Sequence, residues 1–210
     1  MSEMVNLNKL YLYRMTHIDN VAHILTHGIT HKDSPNASRA FTPIGDTSLI
    51  SARSKFELFN GRSIGKYIPF YFGARTPMLY VIQKGFNGVI STPAQEIVYC
   101  VSSVQQVLNT GLDFVFTDGH AVDSFTSQYT PADINSIESL IDLEAVNVMD
   151  WKSETDLDLK RRKQAEFLVL GDMPYSSILG FVVYNQFAKN RLLQDGATSQ
   201  QVLIRQNLYF

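Results

Sequence analysis

The chain has 210 residues, 45% hydrophobic and 18% charged, with 18 Lys and Arg against 20 Asp and Glu. That length supports one well-buried core, read as a single domain over 1–210, and the near balance of charge excludes a whole-molecule field that would draw in polyanions or an anionic membrane. The lone cysteine, Cys100, excludes an internal disulfide and, inside the apolar run Ile97-Val98-Tyr99-Cys100-Val101, reads as a buried structural thiol suited to a reducing cytoplasm.

The start, Met1-Ser2-Glu3-Met4-Val5-Asn6, lacks a basic segment leading into an apolar one, and no apolar run of about 18 residues occurs. The expectation is a soluble, unexported cytoplasmic monomer with no membrane contact. Leu10-Tyr11-Leu12-Tyr13 is an apolar run that ends at Arg14. Thr16-His17-Ile18-Asp19 has capping-box character, with Ile18, Val21, Ile24 and Leu25 following at helical spacing and Gly28 placed to end the helix. Residues 30–66 are rich in Ser, Asn, Gly and Pro and carry no sustained period, apart from a short helix near Leu49 to Phe59. A long irregular segment of this kind usually serves a function.

Tyr67 to Phe72 and Met78 to Ile82 read as strands, with Pro69 placing the first at an edge or bulge. Further short strands are predicted at Glu96 to Val101, Phe114 to Thr117, Glu166 to Leu170, Leu179 to Tyr184 and Gln201 to Arg205. Ser103 to Asn109 reads as a helix stopped by Gly111, and Thr130-Pro131-Ala132-Asp133 opens another with Ile134, Ile137, Leu140 and Ile141 inward. The class is α+β.

Few templates for chemistry fit. His17, His23, His27 and His31 cluster in sequence, but Gly28 separates His31 from the helix and no Cys or Glu completes a ligand set, so helix-surface polarity is the better reading and no metal is expected. No P-loop, dinucleotide fingerprint or Gly-x-Ser-x-Gly elbow is present. What remains are polar residues at the ends of apolar runs: Arg14, Arg75, Asp118, His120 and Glu166. Glu166 stands out, because a carboxylate heading the strand Phe167-Leu168-Val169-Leu170 is either solvated at a sheet edge or held by partners for chemistry. The preceding Lys160-Arg161-Arg162-Lys163 is either a phosphate-binding run or a solvated basic turn.

Five ordered blocks carry a family resemblance: Tyr13-Arg14-Met15-Thr16-His17-Ile18-Asp19-Asn20; Tyr67-Ile68-Pro69-Phe70-Tyr71-Phe72 with Arg75-Thr76-Pro77-Met78-Leu79-Tyr80; Phe114-Val115-Phe116-Thr117-Asp118-Gly119-His120; Lys163-Gln164-Ala165-Glu166-Phe167-Leu168-Val169; and Leu208-Tyr209-Phe210. In these, over nearly its whole length, the chain resembles the DarT-type ADP-ribosyltransferase toxins. The resemblance implies an ADP-ribosyltransferase fold, with a split mixed β-sheet, an NAD cleft and peripheral helices. It also implies transfer of ADP-ribose from NAD, without a metal, to thymine or guanine in single-stranded DNA. The biological setting would be a toxin–antitoxin or phage-defence system, with a macrodomain-type ADP-ribosyl hydrolase as antitoxin.

By the same resemblance Glu166, Arg53 and His120 are catalytic, with Arg62 the alternative to Arg53. Arg14, Thr16, His17, Asn20, Gly28, Arg53 and Tyr71 would bind NAD, and Arg75, Met78, Lys160, Arg161, Arg162 and Lys163 would meet the nucleic acid. Arg14 stands where the family has a histidine and is similar to the first-strand arginine of transferases with an Arg-Ser-Glu pattern. Two other readings remain open: an RNA-directed transferase, and a catalytically silent NAD-binding module.

Overall fold

The computed structural model describes residues 6–45, 51 and 53–210. Among them, strands β1 (Tyr11–His17), β2 (Tyr67–Tyr71), β3 (Ile97–Ser103), β4 (Phe114–Thr117), β5 (Gln128–Tyr129), β6 (Glu166–Leu170), β7 (Gly180–Val183) and β8 (Val202–Ile204) form a sheet in the order β5-β4-β6-β2-β1-β3-β7-β8. It is antiparallel except for the parallel pair β7 and β8. Around it lie α1 (Val21–His27), α2 (Pro77–Lys84), α3 (Val104–Thr110), α4 (Ile137–Leu140), α5 (Leu143–Asn147), α6 (Leu159–Arg162) and α7 (Gln186–Gln194), with short 3-10 turns.

The sheet is split at its centre. β1 matches β3 from Tyr11 against Ser103 to His17 against Ile97, and β2 matches β6 along its whole length, but β1 and β2 meet only at Tyr13 opposite Tyr71. Pro69 explains part of this. It lies opposite Leu168, and its nitrogen and carbonyl share the side facing β1, so its missing N–H costs nothing where the two strands have diverged. The Pro69 carbonyl instead accepts from Arg14 Nη1 at 3.0 Å, across the gap. Proline is thus at an edge after all, an internal one.

Strand alternation sorts the side chains into two faces. Leu12, Val98, Cys100, Phe70, Phe114, Phe116, Phe167 and Val169 join the main core under α1, α3 and α7. Phe167 is its hub, stacked on Phe114 at 4.7 Å and edge-on to Phe72 at 6.0 Å. Cys100 is buried there, and burial pushes its thiol up to about 12. The other face carries two smaller clusters, one around Leu58, Ile64, Tyr67, Val115, Ala121 and Leu168, the other around Leu79, Ile82, Ile97, Tyr99, Val182 and Tyr209. Tyr71, Thr117 and Glu166 occupy that face of the central strands.

One predicted strand is a helix. Met78 to Ile82 lies inside α2, where the Thr76 hydroxyl caps the Leu79 N–H, Pro77 takes the first turn and Gly85 (φ 68) closes the C-terminus. Those end signals outrank the β-rich composition, and Leu79 and Ile82 are buried at a spacing of three. The helix expected over Leu49 to Phe59 falls partly outside the described residues. Ser51 and Arg53 are helical, but Glu57 bridges Ser63, so the helix ends before Phe56. The first helix begins later than expected, because Thr16 is still in β1 and His17 is the residue whose side chain accepts from Asp19 N–H. Gly28 ends α1 as predicted (φ 76), and a Cβ there would lie 2.0 Å from the Met173 carbonyl oxygen. The two-residue β5 and the helix α7 carried no strong period in the sequence.

The basic run before β6 is structural in large part. Lys163 is 1% exposed, and its ammonium donates to the Val148, Val146 and Ala74 carbonyls at 2.7, 3.1 and 3.4 Å. It ties the segment after β2 to the end of α5. Burial, with Arg75 nearby, brings its pKa down to about 8. Replacing Lys163 by Met strands those carbonyls, and the expected loss is about 2–4 kcal/mol in urea unfolding. Unchanged stability in K163M would remove this cross-link from the account.

Candidate active site

Glu166 opens β6 at the centre of the sheet and is fully buried. One carboxylate oxygen, Oε1, accepts from the Ala121 N–H at 3.0 Å, and the other pairs with Arg53 Nη2. Its backbone N–H donates to Thr117 Oγ1 at 3.2 Å, while that hydroxyl donates to the Gly119 carbonyl at 2.7 Å. Thr117 therefore fixes both the start of β6 and the turn that presents Ala121. A buried carboxylate without such partners would cost several kcal/mol.

Arg53 is helical within the 30–66 segment and reaches Glu166 in the sheet. Its Nη1 lies 3.4 Å from His120 Nε2, so the guanidinium sits between carboxylate and imidazole. For that contact Nε2 is the unprotonated ring nitrogen. Burial works against the Arg53 charge, but Glu166 and Tyr71 outweigh it and the net shift is upward. Burial lowers the His120 pKa, with Glu166 opposing. Tyr71 faces Glu166 across the strands, and burial, then the Glu166 charge, raise its pKa and keep the phenol protonated.

On the other side of the split lies a recess lined by Arg14, Thr16, His23, Gly28, Thr30 and Phe41, among others. Arg14 is in reach of both halves, since it stands on β1 and donates to the Pro69 carbonyl of β2 at 3.0 Å. Burial lowers its pKa. Asn20 also borders the recess, but its amide is engaged: Oδ1 accepts from Thr42 N–H at 2.9 Å, and Nδ2 donates to the Thr42 carbonyl at 2.8 Å and to Thr16 Oγ1 at 3.0 Å. Its role is to hold residues 38–45 beside the recess rather than to offer free donors.

The structure thus brings together Glu166, Arg53, His120 and Tyr71, and beside them Arg14, Thr16, Asn20 and Gly28. It does not bring the others. His17 is on the opposite face of β1, its ring near Asp19 and Glu96, so it is not part of the recess. Arg62 pairs with Asp113 at 2.8 Å on the surface, which leaves Arg53 as the arginine at the carboxylate. Arg75, in a left-handed conformation (φ 52), donates to the Tyr209 carbonyl and covers the Phe210 ring at 4.1 Å. Met78 is half-buried against the Leu79 cluster. Arg161 is bound to Asp158 and Asp118, Arg162 to Asp142, Asp156 and Asp158, and Lys163 is buried, so the expected four-residue phosphate run reduces to Lys160, which is exposed. Among the described residues, His, Cys, Asp and Glu side chains do not gather in threes as a metal site would need, and no helix is long and apolar enough to cross a membrane.

Sequence reasoning missed the Ala121 N–H and Thr117. Backbone donors carry no residue signature, although the Thr-x-Gly pattern ahead of His120 marks a tight turn. It also missed that Arg14 bridges the split.

The geometry matches known proteins over nearly the whole chain. Residues 13–210 fit the family model described as ssDNA thymidine ADP-ribosyltransferase, DarT. The DNA ADP-ribosyl transferase of Escherichia coli O127:H6 is 32% identical over 92% of this chain and 88% of its own length. That of Thermus sp. 2.9 is 34% identical over 95% of each. The Thermus sp. 2.9 DarT solved with ADP-ribosylated ssDNA superposes with a TM-score of 0.82 at 29% identity, covering all of both chains, and its complex with NAD+ gives 0.77 at 31%, covering 99% of this chain and 100% of that one. A Thermosipho africanus protein named as a fusion of DNA ADP-ribosyl transferase and DNA ADP-ribosyl glycohydrolase is 32% identical over 75% of this chain and 38% of its length. With its α+β split sheet of the ADP-ribosyltransferase fold, the chain belongs to the DarT family of single-stranded-DNA thymidine ADP-ribosyltransferases.

Proposed function

We propose that this chain moves ADP-ribose from NAD onto thymidine in single-stranded DNA, with Glu166 and Arg53 as its catalytic pair and His120 beside them. The observation that carries the reading is the fully buried Glu166 carboxylate, held by Arg53 and the Ala121 N–H. As the bond from ribose to nicotinamide lengthens, positive charge grows on the sugar, and a fixed carboxylate in a low-dielectric site stabilises it strongly. Nicotinamide leaves with the bonding pair. Thymine offers one ring N–H, which must lose its proton as the new bond to ribose forms, and Glu166 is placed to direct that proton. Arg14 and Thr16, facing the recess, would grip the polar body of NAD, with Arg53 moving from Glu166 toward its phosphates. Single-stranded DNA suits such a buried site because extruding a base from a duplex costs a few kcal/mol.

The Thermosipho fusion supports a partner that removes the mark, and hence a toxin held in check by an ADP-ribosyl hydrolase. That the strands of the described residues form one eight-stranded sheet supports treating the chain as one catalytic unit.

The direct experiment is incubation with labelled NAD and matched DNA and RNA oligomers, each with one thymidine or uridine, followed by mass analysis of nucleosides. One ADP-ribose on thymidine is expected; label on RNA or on the protein alone would overturn the reading. In the same assay E166Q should lose at least about 10²-fold in transfer, and R53A should fall comparably while R62A keeps near-native rates. An active R53A with a dead R62A would reverse the assignment of the arginine.

His120 gives a pH test. Its native pKa lies below the ordinary 6.5, so in the window between the two the unfolded chain binds a proton that the native one does not, and stability falls as pH drops through it. H120Q should flatten that part of the stability profile. Identical slopes in both proteins would mean that His120 is not held neutral by the site.

A further inference from the structure

Apart from the Glu166 cleft, the described surface carries a cluster of aromatic rings, of which Phe210 packs against the Leu79 cluster. Trp151, the chain's one tryptophan, meets Tyr80 edge-on at 5.8 Å and Phe210 edge-on at 5.6 Å, and Tyr80 stacks on Phe86 at 5.5 Å. Trp151 is half-buried and lines a surface groove with Lys152, Glu154, Asp156, Leu157 and Lys160. Leu157 is an apolar side chain left 88% exposed. The charges in the groove are unequal in effect. Asp156 is paired with Arg162, which leaves Lys152 and Lys160 against Glu154.

One wall of the groove is tied to the turn that carries His120. Lys160 belongs to α6, which Arg161 anchors to Asp118 at 2.9 Å, two residues before His120, and a Cβ on Gly119 would strike the Arg161 side chain. The Lys160 charge is close enough to disfavour protonation of His120. Lysines, an exposed aliphatic residue and a half-buried indole along one groove, walled by the helix that is tied to the His120 turn, make a platform of the kind that binds single strands: phosphates beside the cations, bases stacked on the ring.

We propose that this groove holds the single strand flanking the target nucleotide, with one base stacked on Trp151 and phosphates beside Lys152 and Lys160. The inference rests on DNA being the acceptor and adds where the strand runs. Stacking tolerates any base, so the groove contributes affinity and reach, and not the choice of sequence.

Because Trp151 is the only indole, its emission reports on the groove alone. Titrating the wild-type protein, without NAD, with thymidine-containing single strands of about four and about twelve nucleotides should quench that emission more strongly with the longer strand, and less at higher salt. In transfer assays the advantage of the longer strand in kcat/KM should shrink about tenfold in W151A, through KM, and partly return in W151F. K152E with K160E should shrink it too and weaken its salt dependence. Cleavage of NAD in the absence of DNA shows that each variant is folded. Unmoved emission, together with an undiminished long-strand advantage in W151A, overturns the groove and leaves the acceptor reading standing. Self-association that W151A abolishes, with no change in strand preference, would assign the surface to a second copy and also overturn the proposal. A wild-type enzyme that modifies neither strand overturns the acceptor reading, and the groove with it.

Discussion

The structure turns on one buried negative charge. Glu166 is fully buried in the sheet and balanced by Arg53, one backbone N–H and no bulk water contact. Removing one member of a buried pair costs about 3–5 kcal/mol, whereas apolar substitutes for both are often tolerated, so a pair of this kind is retained for something other than stability. The surrounding architecture is consistent with that. Thr117 fixes the head of β6, the 117–121 turn delivers the N–H, and Tyr71, held as the neutral phenol, lines the carboxylate on the strand alongside.

The second requirement is space beside the carboxylate, and the sheet supplies it by splitting. β1 and β2 touch at one residue pair, Pro69 turns its donorless nitrogen to the gap, and Arg14 crosses it to the Pro69 carbonyl. On β2 and β6 the main core is unaffected, because its side chains point to the face opposite Tyr71 and Glu166, whereas on β1 Arg14 and Thr16 share the face of Leu12 and their recess is walled by the core residues Ile24 and Ile29. On β2 and β6 the charged cleft and the core are built from alternate residues: Phe70 and Tyr71, or Glu166 and Phe167, serve different sides of the sheet. This is how a DNA ADP-ribosyltransferase keeps a polar, charged site inside a protein that is 45% hydrophobic.

Much of this was legible in the residues, for reasons that differ by element. β4 and β6 were readable to the residue because short β-branched and aromatic runs bounded by turn residues leave little choice. α2 was misread as a strand because Leu79-Tyr80-Val81-Ile82 favours strands by composition, and the decisive information lay at its ends, in Thr76, Pro77 and Gly85. Glu166 was suspect from its position alone, whereas Arg53, 113 positions away in a segment without periodicity, was reached only through the family resemblance, and the Ala121 N–H has no side-chain signature. The basic run misled for a related reason. Sequence shows four cations in a row, while folding turns Lys163 onto buried carbonyls and ties Arg161 and Arg162 to aspartates, leaving Lys160 outward.

A double-mutant cycle on Arg53 and Glu166, read by urea unfolding, tests the buried pair most directly. With R53Q, E166Q and the double variant, each single change should cost a few kcal/mol by leaving its partner buried and uncompensated, and the double variant should cost clearly less than their sum. Additive losses would mean that Arg53 and Glu166 do not share one charge-balanced site, and the central claim would fail.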